Sequence, residues 1–241
     1  MPMYNHYLMI PLRDMTKSPV FPYVNTALII VNVLVFLYSY SIGDYMNLLI
    51  LRYGLIPAKV FSSVPDIATA ERVYPFFTSM FLHGGWLHLI GNMLFLYIFG
   101  DNVEGRMGHF RYLVFYLVCG LIAALFQFVT NIHSIIPMVG ASGAISGVLG
   151  AYITFYPRSR ILTLVPIFFF IQFIHIPAAV FIFVWFIIQF LSGLGSLNAP
   201  KESGGVAFWA HIGGFVAGLL LARFFDKNPY LRQASTGGYY H

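Results

Sequence analysis

Charged residues are scarce in this chain, because only 9% of its 241 residues are Asp, Glu, Lys or Arg. A soluble domain carries about a quarter of such residues, which help to keep its surface in water. Hydrophobic residues instead make up 59% of the chain, and the mean hydropathy is +0.79. The composition therefore excludes an ordinary soluble protein and predicts one that crosses a membrane several times.

Cysteines and metal-binding motifs are also nearly absent. The single cysteine, Cys119, cannot form an internal disulfide, so it says nothing about the redox compartment. No His-Glu-x-x-His motif occurs, and the eight histidines include no Cys/His cluster with the spacing of zinc ligands. These absences argue against a zinc metalloprotease. The apolar segments also contain no pair of aspartates for acid–base chemistry.

Long apolar runs are what the chain does contain, and about 20 apolar residues are needed for one transmembrane helix. Six spans are predicted, at residues 24–42, 86–102, 110–130, 142–156, 177–194 and 206–225. Residues 43–85 form a long, mixed first loop that ends in aromatic residues suited to the membrane interface. We therefore predict one all-α, polytopic domain over residues 1–241, with a six-helix membrane core at 24–225 between tails at 1–22 and 226–241.

The apolar run at residues 161–194 is too long for one span. Pro166, His175 and Pro177 divide it, and the fifth predicted span starts at the second of these prolines. The first part, 161–176, would reach only about 24 Å even as a helix, given the rise per residue. We predict that this part is an embedded or interfacial loop, because a seventh span would place the C-terminal basic residues outside.

The basic residues set the expected orientation, because Lys and Arg are enriched in cytoplasmic loops. With the N-terminus inside, the inner basic residues are Arg13, Lys17, Arg106, Arg111, Arg158, Arg160, Arg223, Lys227 and Arg232, and the outer ones are Arg52, Lys59, Arg72 and Lys201. Both termini are therefore predicted to be cytoplasmic. The net charge of +5 is scattered over short segments, which argues against nucleic-acid binding. The N-terminus lacks an Arg-rich transit peptide, which favours a prokaryotic plasma membrane over an organelle.

A serine and a histidine lie within apolar sequence near the start of two predicted spans. Ser142 begins the fourth span, and His211 follows 69 residues later in the sixth. A serine hydroxyl needs an adjacent base, and imidazole can take its proton and return it to a leaving amine. Both spans start at the outer face, and the short fourth span predicts a recess open to the outside. Alternatively the serine only caps a helix, although a histidine in a membrane helix is commonly functional.

The second span carries two further polar residues, His88 and Asn92, which lie four residues apart and so on one helix face. With the backbone N–H of the serine they could form an oxyanion hole. Interhelical hydrogen bonding alone is the alternative. His83 points off this face, which favours a structural role. Glu104 and Arg106 follow the span on the other side of the membrane, where we predict an ion pair that fixes a loop.

Glycines four residues apart predict where helices meet. Gly143 and Gly147 lie on the fourth span, and Gly214 and Gly218 lie on the sixth. Such small residues let helix backbones come close in lipid, which would bring the serine and the histidine within hydrogen-bond reach. Packing without catalysis is the alternative. No acidic residue lies deep in a span to orient the histidine, so a Ser–His dyad is predicted rather than a full triad.

Four motifs, in this order along the chain, resemble those of the rhomboid intramembrane serine proteases of the compact, six-helix prokaryotic type. They are His83–His88 with Asn92, Glu104–Arg106, Gly140–Gly143 and Ala210–Gly214. The resemblance extends over residues 24–226 and so covers most of the chain. Four motifs in one order form a specific signal.

The resemblance implies a role for each motif. Ser142 would be the nucleophile and His211 the base, with oxyanion support from His88 and Asn92. The acidic and basic residues of the second motif would have a structural role in the first loop. Substrates would be single-pass membrane proteins, cut in or near a helix that unwinds easily, and no cofactor or metal is implied.

The chain departs from this family pattern at two places. Ser146 stands one turn after the nucleophile, where many relatives have an aromatic residue that packs on the catalytic histidine. The apolar stretch 161–176 is longer than in the simplest members. Two other functions stay open: a rhomboid-like protein that binds or escorts membrane proteins without cutting them, and a small transporter, whose usual signs are broken helices and midplane charges. The physiological substrate and the oligomeric state are not specified by the sequence.

Overall fold

The structure is a computed structural model that describes residues 9–16, 18, 20–62, 68–167, 170–196 and 206–227. Three residues of the charge comparison, Lys17, Lys201 and Arg232, lie outside the described residues, as does the tail beyond residue 227. Most of the described chain is helical, and the long helices follow the apolar segments of the sequence.

In the described residues, six helices occupy the positions of the six predicted spans. The first loop, which connects the first two of these helices, forms several short helices. In chain order the helices are α1 (Tyr23–Ser41), α2 (Tyr45–Tyr53), α3 (Pro57–Phe61), α4 (Thr69–Val73), α5 (Pro75–Thr78), α6 (Trp86–Met107), α7 (His109–Thr130), α8 (Ser142–Phe155), α9 (Ala178–Ser196) and α10 (Phe208–Phe225). A short 3-10 turn at Ser79–Phe81 lies between α5 and α6.

Four of these helices, α1, α7, α9 and α10, are long and apolar enough to cross a membrane. A fifth span results if the segments Thr69–Phe81 and Trp86–Met107, which meet at a bend of 75°, are counted as one. The remaining apolar helix, α8, has only 14 residues. The protein is therefore an integral membrane protein, whereas the count of six spans and the common side of the termini stay predictions.

The short helix α8 lies at the centre of the bundle, where it packs against α6, α7 and α10. All its residues from Gly143 to Tyr152 are buried. Its close approach to α10 depends on glycine, because a Cβ at Gly214 would overlap the carbonyl oxygen of Gly143 and one at Gly218 that of Gly147. The missing side chains of Gly143 and Gly147 also leave room for α7. Small residues pack helices in lipid in this way, because no side chain then separates the two backbones.

Three antiparallel strands correct the all-α prediction. They are β1 (Ile10–Asp14), β2 (Arg160–Ile167) and β3 (Phe170–Pro177), in the sheet order β1-β2-β3. Strands β2 and β3 form a hairpin over the apolar stretch 161–176, so that stretch is not a span and is not an irregular loop either. Its many β-branched and aromatic residues favour strands over a helix, and pairing with the distant β1 completes the sheet.

Glu104 and Arg106 bind other partners than those predicted. The buried carboxylate of Glu104 accepts hydrogen bonds from the backbone N–H groups of Val24 (3.0 Å) and Asn25 (2.7 Å). These groups begin α1, where N–H groups lack helical partners and attract an anion. Arg106 donates from Nε and Nη2 to the two carboxylate oxygens of Asp226, at 2.9 and 2.8 Å. The sequence predicted an ion pair between these two residues, whereas the structure gives Arg106 a pair with Asp226 and Glu104 a place at the start of α1, so the two side chains join α6 to α1 and to the end of α10.

Candidate active site

Helices α8 and α10 bring the predicted nucleophile and base together. Ser142 is the first residue of α8, and its Oγ lies 2.8 Å from Nε2 of His211 in the first turn of α10. The residue before the helix is Ala141, and no side chain caps this helix end. The serine hydroxyl is therefore engaged with the imidazole and does not serve as a helix cap. At this distance it can pass its proton to the ring.

Two residues of α9 hold His211, and sequence reasoning missed both. Gln189 Oε1 lies 2.7 Å from Nδ1 of the imidazole, and the Trp185 ring packs against it with a centroid distance of 5.9 Å. When Nδ1 donates its proton to the amide oxygen, Nε2 is unprotonated and can accept from the serine. Ser146 instead donates to the backbone carbonyl of Ser142. The available signal was a lone glutamine in an apolar helix, where polar groups are costly.

The other predicted site residues line the same cavity as the dyad. His88, Asn92, Ser142 and His211 all face a cavity of about 670 Å³. Asn92 is buried, and its Nδ2 has no hydrogen-bond partner within the described part of the chain. The ring of His88 rests against Gly140, whose φ of +124° and close contact both exclude a larger residue. The cavity therefore offers an unused amide donor on the wall next to the serine.

His83 lies behind this wall and does not complete it. It is buried, and its ring packs edge-on against His88 with a centroid distance of 5.2 Å. Neither of its ring nitrogens has a hydrogen-bond partner among the residues that the structure describes. Its contacts fit the structural role expected for it. In the same described ranges, no three His, Cys, Asp or Glu side chains come together as a metal site would require.

The rhomboid domain model matches residues 70–227 of this chain. The chain belongs to the rhomboid family. The match runs from the start of the bent segment before α6 to just beyond α10, and so it includes both members of the Ser–His pair. All four sequence motifs of this rhomboid therefore lie inside the matched region.

Curated relatives carry the same family name. The chain is 31% identical over 166 residues to "RHOMBOID-like protein 1" of Arabidopsis thaliana. This match covers 69% of this chain and 38% of that protein. It is 28% identical over 204 residues to "Presenilin-associated rhomboid-like protein A, mitochondrial" of Danio rerio, covering 81% and 45%. It is 36% identical over 76 residues to "Putative rhomboid protease YdcA" of Bacillus subtilis (strain 168), covering 32% and 38%. In each case the match spans less than half of the relative's length.

Proposed function

We propose that this rhomboid is an intramembrane serine endopeptidase that cuts single-pass membrane proteins within or near their membrane helix. The observation that carries the proposal is the 2.8 Å approach of Ser142 Oγ to His211 Nε2 beside a cavity with an unused amide donor. A serine and a histidine in this relation perform acyl transfer on several unrelated folds. Membership of the rhomboid family supports the same activity.

The reaction moves one proton along a defined route. His211 Nε2 takes the hydroxyl proton of Ser142 while Oγ forms a bond to the carbonyl carbon of the substrate. Negative charge then develops on the carbonyl oxygen, toward which the N–H of Ser142, the Asn92 amide and the His88 ring donate hydrogen bonds. The imidazolium returns its proton to the amine as the C–N bond breaks. Water, activated by the same imidazole, then hydrolyses the acyl group from the serine.

The proposal includes a membrane topology of one domain with six spans, both termini in the cytoplasm and the site open to the outer face of a prokaryotic plasma membrane. The length of α8 supports it, because 14 residues extend about 21 Å against a hydrocarbon core of roughly 30 Å. The start of this helix can then lie below the surface, where water reaches Ser142 from one side. A substrate helix must first break its own backbone hydrogen bonds to expose a peptide bond there.

Reconstitution with a fluorescent single-pass substrate tests the activity directly. We expect cleavage by the wild type and at least about 10³-fold slower cleavage by Ser142→Ala and by His211→Ala, since the two residues act as one unit. Ser41→Ala, an exposed serine at the end of α1, is the matched control and should cleave normally. EDTA should have no effect. If the wild type neither cleaves nor reacts with a fluorophosphonate, the enzyme proposal fails and binding or escort of membrane proteins becomes the better function.

A further inference from the structure

The three-stranded sheet lies at the opposite end of α8 from the dyad. Helix α8 runs from Ser142 to Phe155, and β2 begins only a few residues later, at Arg160. Because the helix rises about 1.5 Å per residue, the sheet is about 20 Å or more from the serine. Whatever the sheet binds is therefore distinct from the substrate cavity.

Strand β3, at the outer edge of this sheet, exposes apolar side chains on both faces, because successive side chains of a strand point to opposite sides. Phe170 is 73% exposed, and Ile171 and Phe173 are each 63% exposed. Within the described residues, no strand pairs with its outer edge. Apolar patches of this kind do not usually face water, and an unpaired strand edge is not tolerated in hydrocarbon. Both conditions are met when the strand lies at the membrane interface, with its apolar side chains toward the acyl chains.

The connection of β3 to α9 places it at the same interface. The strand ends at Pro177, and α9 starts at the next residue. Helix α9 is one of the helices apolar enough to cross the membrane, and its Val180 and Phe183 side chains are half exposed or more. Strand β3 therefore leads directly into a candidate span whose first turns also expose apolar side chains.

A basic cleft opens at the base of the hairpin. It has a volume of about 590 Å³ and is lined by Met15, Thr16, Arg158, Ser159, Arg160 and His175. The hydroxyl groups of Thr16 and Ser159 lie 2.7 Å apart on its wall. A guanidinium group and an imidazole N–H are donors suited to a phosphate group.

The nearest described carboxylate along the chain does not occupy this cleft. Asp14 accepts hydrogen bonds from Tyr152 (2.6 Å) and from the Asn102 amide (2.8 Å), inside the protein. Burial raises the pKa of the Asp14 carboxyl, and the hydrogen bond from Tyr152 opposes this shift. The described lining of the cleft itself contains two arginines and no carboxylate, which gives it a positive balance.

We propose that the β2–β3 hairpin and its basic cleft bind an anionic phospholipid of the adjacent leaflet. The phosphate group lies in the cleft beside Arg160 and His175, and the acyl chains lie along Ile171 and Phe173, which the strand register places on the same face of the sheet as these two residues. This site goes beyond the proteolytic function, and it follows from the hairpin geometry for either orientation of the chain. Cytoplasmic leaflets are rich in anionic lipids, which attract basic segments next to spans.

Native mass spectrometry of the full chain with phosphatidylglycerol tests the headgroup site. We expect Arg160→Gln to bind the lipid about fivefold more weakly, the factor expected for one arginine near anionic lipid. Arg223→Gln, an exposed arginine at the same end of the bundle, should bind it like the wild type. Equal loss in both variants, or no loss in either, would overturn the proposal. Displacement of the lipid by an equal concentration of inorganic phosphate would also overturn it, because the site would then be one for free phosphate.

A fluorescent probe on β3 tests the acyl-chain contact independently. The native Cys119 is fully buried and should not react, so a bimane label can be placed at Phe173→Cys. In phosphatidylglycerol vesicles we expect quenching by spin-labelled lipid and little quenching by iodide. The matched label at Thr69→Cys, on the exposed side of the first loop, should show the reverse. Quenching at position 173 by iodide, or by neither reagent, contradicts lipid contact and would indicate water or a protein partner instead.

Discussion

At the residue scale, the imidazole of His211 has a partner at each nitrogen, Ser142 at Nε2 and Gln189 at Nδ1. A neutral amide fixes the tautomer that a general base needs, and it does so without burying a charge at membrane depth. It gives less support to the imidazolium than a carboxylate would. The Trp185 ring supplies the aromatic contact on the histidine that Ser146 cannot make. In the proposed mechanism Gln189 is therefore a positioning residue, and Trp185 packs against the ring.

Replacing Gln189 by leucine should slow catalysis with little effect on substrate binding. Leucine has a similar size but no acceptor for Nδ1–H, so the other tautomer becomes populated and Nε2 no longer accepts the serine proton. We expect kcat to fall about 10- to 100-fold, a part of the contribution of a general base, with KM nearly unchanged. Steady-state kinetics on the reconstituted substrate measure both constants.

The conservative variant distinguishes positioning from packing. Gln189→Glu keeps the acceptor, so it should recover most of the activity and move the pH dependence of kcat upward, because a nearby negative charge raises the pKa of an imidazole. If Gln189→Glu is as slow as Gln189→Leu and the pH profile does not move, the amide only fills space.

At the scale of elements, α6 holds its neighbours by ionic contacts at one end. Glu104 has no exposed surface and accepts hydrogen bonds from the first N–H groups of α1, while Arg106 pairs with Asp226 beyond α10. A carboxylate at a helix N-terminus satisfies backbone N–H groups that the helix itself leaves free. The Glu–Arg motif thus sets the positions of the first and last long helices relative to α6.

Glu104→Gln should destabilise the fold, because the neutral amide retains only one acceptor oxygen for two N–H groups. Hydrogen bonds to a charged group contribute about 1.5–3 kcal/mol each, so we expect a loss of about 2–4 kcal/mol. The thermal unfolding midpoint in detergent measures this. Glu71→Gln is the control: its carboxylate is 41% exposed and 3.6 Å from Lys59, and such pairs contribute about 1 kcal/mol at most. Equal midpoints for the two variants would contradict the capping role.

Gly218→Ala should separate α10 from α8. The added Cβ would overlap the backbone of Gly147, so α10 must shift and carry His211 away from Ser142. We expect a stability loss of about 1–3 kcal/mol from overpacking, together with slower cleavage. Gly91→Ala, where nothing lies within 4 Å of the new Cβ, should keep or raise the unfolding midpoint. A Gly218→Ala protein with the wild-type midpoint would show that the two helices do not need this close approach.

At the scale of the whole molecule, the dyad and the sheet mark opposite ends of α8, and the proposed topology assigns one end to each side of the membrane. The first loop lies on the side of Ser142, and the segment after α8 lies on the side of the sheet. The positive charge of Arg158 and Arg160 favours the cytoplasm for the sheet. The active site would then face outward.

Cysteine labelling on intact cells tests this orientation. A membrane-impermeant maleimide should label Thr69→Cys in intact cells, whereas Pro157→Cys, in the exposed turn after α8, should react only after lysis. Cys119 is fully buried and should remain unlabelled in both variants. The opposite pattern would invert the proposed topology, and labelling of both positions in intact cells would contradict the placement of α8 across the membrane.

The sequence by itself determined the family of the protein and the positions of its long helices, and it singled out Ser142 and His211, which lie within hydrogen-bond distance in the structure. Hydropathy decides which segments enter lipid, and it is a property of the local chain. Ser142 and His211 stood out because polar groups are costly in such segments. The motif order then identified the family. None of these inferences required information about contacts between residues that are distant in the sequence.

Only the tertiary structure decided which side chains meet across long sequence separations. Gln189 reaches His211 because α9 and α10 pack side by side, and Glu104 meets α1 because α6 crosses it. Strand β1 pairs with β2 about 150 residues away, so the stretch 161–176 could not be assigned to a sheet from its own pattern. Such contacts depend on helix packing and strand register, which local composition does not encode.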